Sequence, residues 1–138
     1  MSSTTPFTKT ELLPQEEMLE VKKSKDELLI GIPCETSYQE KRVCLTPDAV
    51  STLAAHGHRV LIESNAGINA NFNDQDYSEA GGEITNDTAK VFACDTVIKI
   101  APPTFNELSM MQPESVLFSA LQLKTRSQDY FKQLTKKK

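Results

Sequence analysis

The length, composition and charge of the chain exclude several classes of protein. Its 138 residues, 38% hydrophobic and 25% charged, suffice for one globular domain and a tail. The net charge is -4 and no basic stripe is interleaved with aromatics, so nucleic acid is not an expected partner. No apolar run approaches the ~20 residues that span a bilayer, and no signal peptide opens the chain. We therefore expect a cytoplasmic protein with no membrane partner.

The cysteines and histidines form no metal or disulfide pattern. The chain has an odd number of cysteines, and no two of them form a CxxC motif; they are Cys34, Cys44 and Cys94. His56 and His58 lie two residues apart, without the further ligands that a zinc site requires. We interpret the cysteines as reduced thiols and the histidines as structural.

The first elements in chain order are a tail and a strand-helix pair. Residues 1–27 predict a polar tail with a possible short helix from Pro14, and residues 28–138 predict the folded domain. The apolar run 28–33 predicts a buried strand. Thr46 is a predicted N-cap, Pro47 suits the first helical position, and Gly57 predicts the end of that helix.

The later segments continue the alternation of strands and helices. Strands are predicted at 58–63, 82–85, 95–100 and 115–123; helices at 74–80, 86–93, 105–111 and 127–136; and a Gly/Asn-rich loop at 65–73. Leu123 is predicted to share one helical face with Tyr130, Phe131 and Leu134. This alternation favours βαβ units, and the apolar strands favour a mostly parallel sheet buried on both faces. The predicted fold is a three-layer α/β/α domain, Rossmann-like or flavodoxin-like.

Three polar residues are candidates for a ligand site because open parallel sheets bind ligands beyond the carboxyl ends of their strands. Lys99 lies in the apolar run DTVIKI, where a buried ammonium needs a partner, a route to water or a function. The alternative is an edge strand whose lysine faces solvent. Arg42 follows the first strand in a polar loop, where a surface ion pair is the more common outcome for an arginine. Gln122 follows the last strand; the alternative to a binding role is that it is only the polar end of that strand.

Arg42 and Lys99 together would suit a small carboxylate, as a planar fork and a point charge. The prediction requires that both side chains face one cleft, and an unrelated ion pair deep in the interior would remove either from it. The five glycines form no GxGxxG or GxxxxGK run, so the chain is not expected to bind a dinucleotide by itself.

Several spaced segments resemble one known family. Residues 30–36 (IGIPCET), 40–43 (EKRV) and 45–47 (LTP) resemble the opening signature of the alanine dehydrogenase and transhydrogenase alpha-subunit family, and the likeness continues to 97–100 (VIKI). The resemblance implies the N-terminal, substrate-side domain of an enzyme that converts L-alanine, NAD and water to pyruvate, ammonia and NADH. It implies that Arg42 binds the substrate carboxylate, and that Lys99 binds and acts beside the reacting oxygen or nitrogen.

The sequence departs from the family pattern at several places. Gln122 stands where alanine dehydrogenases usually carry a catalytic histidine, and an amide can hold an oxo group but cannot relay a proton. Cys34 replaces a common lysine or arginine, and Asn65 and Asn69 stand in a loop usually richer in glycine. In the family an NAD-binding domain follows, which this chain lacks, so we expect an inactive, self-associating (homo-oligomeric) fragment.

Other interpretations remain open at this point. Transhydrogenase alpha subunits also lack the histidine, which favours an N-terminal part of a proton-translocating NAD(P) transhydrogenase. A non-catalytic binding or assembly module would fit the absent glycine-rich loop together with Gln122. A relative of saccharopine or lysine-oxoglutarate reductases is a more distant possibility.

Overall fold

A computed structural model describes residues 26–137, so the possible helix from Pro14 lies outside the described part of the chain. Its centre is a sheet of five strands in the order β3-β2-β1-β4-β5, with every neighbouring pair parallel. The strands are β1 (Leu29–Ile32), β2 (Arg59–Glu63), β3 (Glu83–Thr85), β4 (Thr96–Ile98) and β5 (Val116–Phe118).

Within residues 26–137, five α-helices connect or follow the strands. They are α1 (Pro47–Ala55), α2 (Asp74–Glu79), α3 (Thr88–Phe92), α4 (Phe105–Met110) and α5 (Gln128–Thr135), with 3-10 turns at Ile68–Ala70 and Leu123–Thr125. Each α-helix begins at a polar side chain that accepts a backbone N–H from its first turn; these N-caps are Thr46, Asn73, Asp87, Thr104 and Ser127. None of the helices within residues 26–137 is long and apolar enough to cross a membrane.

Two hydrophobic clusters cover the two faces of the sheet. On one face, Ile32 and Ile62 pack with Val50 of α1 and Tyr77 of α2. On the other face, Val97 packs with residues of α3, α4 and α5; these residues are Phe92, Leu108 and Tyr130. Because helices cover both sides of a parallel sheet, the predicted three-layer α/β/α fold is confirmed.

The strand order fixes where a ligand would bind. The chain fills one half of the sheet from β1 outward to β3 and then crosses to β4 and β5 on the opposite side. This is the order of the first five strands of the Rossmann fold, and it reverses direction between β1 and β4. The loops leaving β1 and β4 therefore diverge, and the carboxyl edge of the sheet between them, here called the crevice, is where a ligand is expected to bind.

Several predicted boundaries differ from the structure. The strands at 95–100 and 115–123 are shorter than predicted, because regular pairing ends at Ile98 and Phe118. The prediction that Leu123 lies on the helical face of Tyr130 was wrong: Leu123 begins a 3-10 turn outside α5 and is 65% exposed. The reason is Gln122, whose left-handed backbone (φ 52°) turns the chain before α5 begins.

Candidate functional site

Lys99 lies immediately after β4 and is buried between two carboxylates. Its Nζ is 2.9 Å from Oε2 of Glu35 and 3.8 Å from Oε2 of Glu107, and its side chain is only 1% exposed. Since β4 lies between β1 and β5, the alternative of an edge strand with a solvent-facing lysine is excluded. The ammonium has ionic partners, as a charge buried at this depth requires.

Glu35 joins the loop after β1 to the end of β4. One of its carboxylate oxygens accepts the backbone N–H of Ile100, and the other accepts the N–H of Ala101 at 3.2 Å as well as the Lys99 ammonium. Both N–H groups lie beyond the last paired residue of β4, so Glu35 satisfies donors that the sheet no longer pairs. This ion pair is located at the predicted crevice, in the same loop that carries Arg42.

Glu107 was not identified from the sequence. Thr104 and Glu107 have the Thr-x-x-Glu spacing of a capping box, in which the glutamate side chain returns to the N-cap backbone. Only half of that motif forms: the Thr104 hydroxyl accepts the Glu107 N–H at 3.2 Å, while the Glu107 carboxylate turns inward. Its Oε1 accepts the Thr36 hydroxyl at 3.3 Å, and its buried Oε2 has no hydrogen-bond partner within residues 26–137.

Arg42 forms an ion pair with Glu40 at the surface. The guanidinium donates from Nε and Nη2 to the two carboxylate oxygens at 2.9 and 2.8 Å, and the Arg42 backbone N–H donates to Oε1 at 3.0 Å. The arginine side chain is 74% exposed and the glutamate side chain 14%. A tight turn, with Gln39 at φ 61° and the Glu40 N–H donating to the Ser37 carbonyl, places the two side chains together.

The two ion pairs lie within reach of each other's charge. The pKa of Glu40 is lowered to about 2, chiefly by hydrogen bonds from Arg42 and to a smaller extent by the charge of Lys99. The pKa of Arg42 is raised, chiefly by the hydrogen bond to Glu40, with a smaller contribution from Glu35. The structure thus places Arg42 and Lys99 at the same edge of the sheet, each held by a glutamate. Lys99 lies in an ion pair deep in the interior, the condition that counts against its place in a shared cleft, so a cleft shared by both side chains stays a prediction.

A pH titration tests the geometry of the exposed pair. The Glu40 carboxyl should stay ionised as the pH falls below its ordinary pKa of 4.5 and become protonated only near a pH of about 2. Because this pKa is lowered on folding, any stabilisation from the pair is present above pH 4.5 and is lost as the pH falls towards 2. Carboxyl NMR shifts would follow the titration. In Arg42→Ala the midpoint should rise towards 4.5, and an unchanged midpoint would contradict the pairing.

Gln122 lies outside both ion pairs. It is exposed, and no hydrogen bond within residues 26–137 links its side chain to Lys99 or Arg42. Its carbonyl accepts the backbone N–H and the hydroxyl of Thr125 at 3.0 and 2.9 Å, which fixes the 3-10 turn. Gln122 therefore follows β5 at the carboxyl edge of the sheet and has no hydrogen bond to the other candidate residues within residues 26–137.

Cys34 lies next to the crevice but is not an activated nucleophile. Burial, together with the charge of Glu63, raises its pKa to about 11, and its Sγ donates to the Ser64 carbonyl at 3.2 Å. Within the described residues, none of the three cysteines forms a disulfide. Within the described range, no group of three or more His, Cys, Asp and Glu side chains is placed to hold a metal ion.

The fold defines the chain as an α/β domain with a Rossmann-ordered sheet, and the charged side chains at its switch point make that edge the candidate ligand site. Residues 31–138 match the family model described as alanine dehydrogenase/PNT, N-terminal domain, and the chain belongs to that family. Among curated proteins it is 43% identical over 94 residues to an alanine dehydrogenase of Staphylococcus epidermidis, and 46% identical over 94 residues to alanine dehydrogenase 2 of Staphylococcus aureus. Each match covers 68% of this chain and 25% of the relative, so the chain spans about a quarter of their length.

Solved structures show the same relationship. An L-alanine dehydrogenase superposes with a TM-score of 0.75 at 38% identity, covering 79% of this chain and 30% of that structure. A transhydrogenase from Sinorhizobium meliloti superposes with a TM-score of 0.63 at 26% identity, covering 66% of this chain and 27% of that structure. The family resemblance predicted from the sequence is confirmed.

Proposed function

We propose that this chain is the substrate-binding part of an NAD-dependent alanine dehydrogenase, which interconverts L-alanine and pyruvate with release or uptake of ammonia. The observation that supports the proposal is that the Arg42 loop follows β1 and Lys99 follows β4, so both residues lie at the carboxyl edge of an alanine dehydrogenase family domain. NAD would be bound by a further domain outside this sequence, because these five glycines form no phosphate-binding loop. This chain alone would bind substrate without turning it over.

The geometry of Arg42 suits a carboxylate ligand. Glu40 occupies the Nε and Nη2 edge of the guanidinium, and no hydrogen bond within residues 26–137 involves Nη1. The edge formed by Nη1 and the second Nη2 hydrogen is therefore available for a bidentate carboxylate. Glu40 holds the fork in one orientation, which reduces the conformational entropy lost when a ligand binds.

Lys99 and Gln122 would act at the reacting end of the substrate. The Lys99 ammonium can stabilise negative charge on the substrate oxygen, as a fixed cation does in a site shielded from water. Gln122 can donate an amide hydrogen bond to the same oxo group but cannot transfer a proton at neutral pH. We therefore assign the acid/base group of the complete enzyme to the NAD-binding part, outside this chain.

The second candidate is the corresponding part of a transhydrogenase alpha subunit. Gln122 in the place of the family histidine favours it, as does the superposition on a solved transhydrogenase. In that case hydride passes between two nicotinamides, and no amino acid or oxo acid binds at Arg42. Pyruvate binding therefore separates the two candidates.

We also propose that the protein is cytoplasmic and self-associates. The lack of disulfides among the three cysteines of the described residues supports a reducing compartment. Val116, Phe118 and Leu123 expose 49%, 58% and 65% of their surface, and their burial between chains would stabilise an oligomer.

A pyruvate titration followed by amide NMR tests the substrate assignment. We expect millimolar pyruvate to shift the amides of Arg42, Ile100 and Ala101. Arg42→Ala should weaken binding by about tenfold or more, since hydrogen bonds to charged groups contribute about 1.5–3 kcal/mol. No shift in the unchanged protein at millimolar pyruvate would contradict the assignment and favour the transhydrogenase alternative.

Arg59 offers a matched control for this experiment. It forms the same bidentate ion pair, with Nε and Nη2 each 2.9 Å from the oxygens of Glu83, and is similarly exposed. However, Arg59 begins β2 and so lies at the amino edge of the sheet, away from the crevice. Arg59→Ala should leave pyruvate affinity unchanged, and an equal loss in both variants would indicate a non-specific effect of charge.

A further inference from the structure

The crevice holds one more buried carboxylate than the Lys99 ammonium needs. The side chains of Glu35 and Glu107 are 5% and 10% exposed, and both face the same ammonium. Each polar atom of a buried charged group normally has a hydrogen-bond partner. Leaving a buried donor or acceptor without one costs about 1–3 kcal/mol, and more when the group is charged. The second carboxylate therefore requires an explanation of its own.

The two carboxylates are not equivalent. Glu35 is saturated, since it accepts two backbone N–H groups in addition to the ammonium. Glu107 has a hydrogen bond to Oε1 only, while its Oε2 points towards Nζ from 3.8 Å without any hydrogen-bond partner among residues 26–137. If the distance between Glu107 Oε2 and Lys99 Nζ became about 1 Å shorter, the two atoms would be at hydrogen-bonding distance.

We propose that Glu107 is a positioning residue that provides a second partner for the Lys99 ammonium. The inference rests on the proposed function, in which Lys99 must reach a substrate although its side chain is 1% exposed. Breaking the pair with Glu35 would leave the ammonium buried and uncompensated, which is strongly unfavourable. A second carboxylate within reach removes that penalty, so Lys99 can leave Glu35 while remaining paired.

Glu35 can release the ammonium at small cost for a separate reason. Its carboxylate keeps the N–H groups of Ile100 and Ala101 when Nζ moves away. The loop after β1 and the end of β4 therefore stay joined in both arrangements, and only the lysine side chain needs to move.

A double-mutant cycle without ligand tests whether Glu107 can replace Glu35. We expect Glu35→Gln to lower Tm moderately because Glu107 takes over the ammonium, and Glu107→Gln to change Tm little. The decrease in Tm of the double variant should be much larger than the sum of the decreases in the two single variants, because the ammonium then has no carboxylate partner. Additive losses would overturn the proposal.

If the double variant does not fold, Lys99→Met added to it decides the outcome. Removal of the ammonium should restore folding when the defect is an unpaired buried charge. Failure to restore it would show that the two glutamates act independently of Lys99 and would overturn the proposal.

A second experiment measures the effect of Glu107 on ligand binding. Glu107→Gln should weaken pyruvate binding by about tenfold, which corresponds to about 1.4 kcal/mol, while Tm stays nearly unchanged. Glu83→Gln removes the same charge at the amino edge of the sheet and should leave binding unchanged. A purely structural role would alter Tm and not affinity, and unchanged affinity in Glu107→Gln would contradict the proposal.

The two experiments separate failure of this inference from failure of the proposed function. If the unchanged protein does not bind pyruvate, the proposed function fails, whereas the ligand-free cycle still decides whether Glu107 is a second partner. If pyruvate binds but the cycle is additive, only the role of Glu107 is wrong.

Discussion

Replacing Lys99 with methionine is expected to lower the free energy of unfolding by about 3–5 kcal/mol, the usual cost of removing one partner of a buried ion pair. The substitution keeps the volume of the side chain but leaves Glu35 and Glu107 facing each other without a cation. Their mutual repulsion and lost hydrogen bonding both act against the folded state. Urea denaturation of the two proteins measures the difference.

Lys90→Met is the control for the Lys99 substitution. Lys90 is an exposed residue of α3, and a surface change of this kind usually alters stability by no more than about 0.5 kcal/mol. A loss below about 1 kcal/mol in Lys99→Met would mean that the two carboxylates are readily neutralised. The ammonium would then not be the group that holds them.

Gly31→Ala is expected to destabilise the protein by about 2–3 kcal/mol, towards the upper end of what overpacking costs. A Cβ on Gly31 would lie 2.2 Å from the Val91 carbonyl oxygen and 3.1 Å from Sγ of Cys94. The first of these atoms belongs to the backbone of α3, so the helix itself would have to move away from β1. Thermal and urea unfolding would both report the change.

Gly57→Ala makes the same chemical change without the collision. A Cβ there would meet nothing within 4 Å. However, the backbone of Gly57 has φ 87°, a conformation that residues other than glycine rarely adopt. The expected loss is about 1–2 kcal/mol from backbone strain alone. If Gly31→Ala costs no more than Gly57→Ala, then α3 does not pack against β1 as closely as the structure has it.

The fold could be predicted because its determinants are local. Apolar runs mark the strands, and residues such as Thr46 and Pro47 mark helix starts through hydrogen bonds and φ values that involve only nearby residues. Strand order has no such local signal, and both a Rossmann and a flavodoxin order agreed with the pattern. The error at Leu123 arose in the same way, because a left-handed residue in the middle of a regular apolar pattern cannot be read from periodicity.

The candidate site could be predicted only in part. Lys99 was conspicuous because a cation interrupts an apolar run, and this signal depends on sequence alone. The site also depends on Glu107, which is 72 residues from Glu35 in the chain and meets it only through tertiary packing. The Thr-x-x-Glu spacing that Glu107 shares with Thr104 is typical of a helix cap and carries no sign of a distant ion pair. A buried cation without a nearby partner in sequence is a reason to search distant helices for an acidic residue.

The bond network of Glu35 also bears on how the molecule opens. Its carboxylate crosses from the loop after β1 to the backbone just beyond β4, where the two halves of the sheet are otherwise joined by few ladder bonds. Separation of the halves must therefore break a charged contact in the same event as the β1-β4 pairing. Partial unfolding along this line is disfavoured, so the two halves should exchange their amide hydrogens with deuterium as a single cooperative unit.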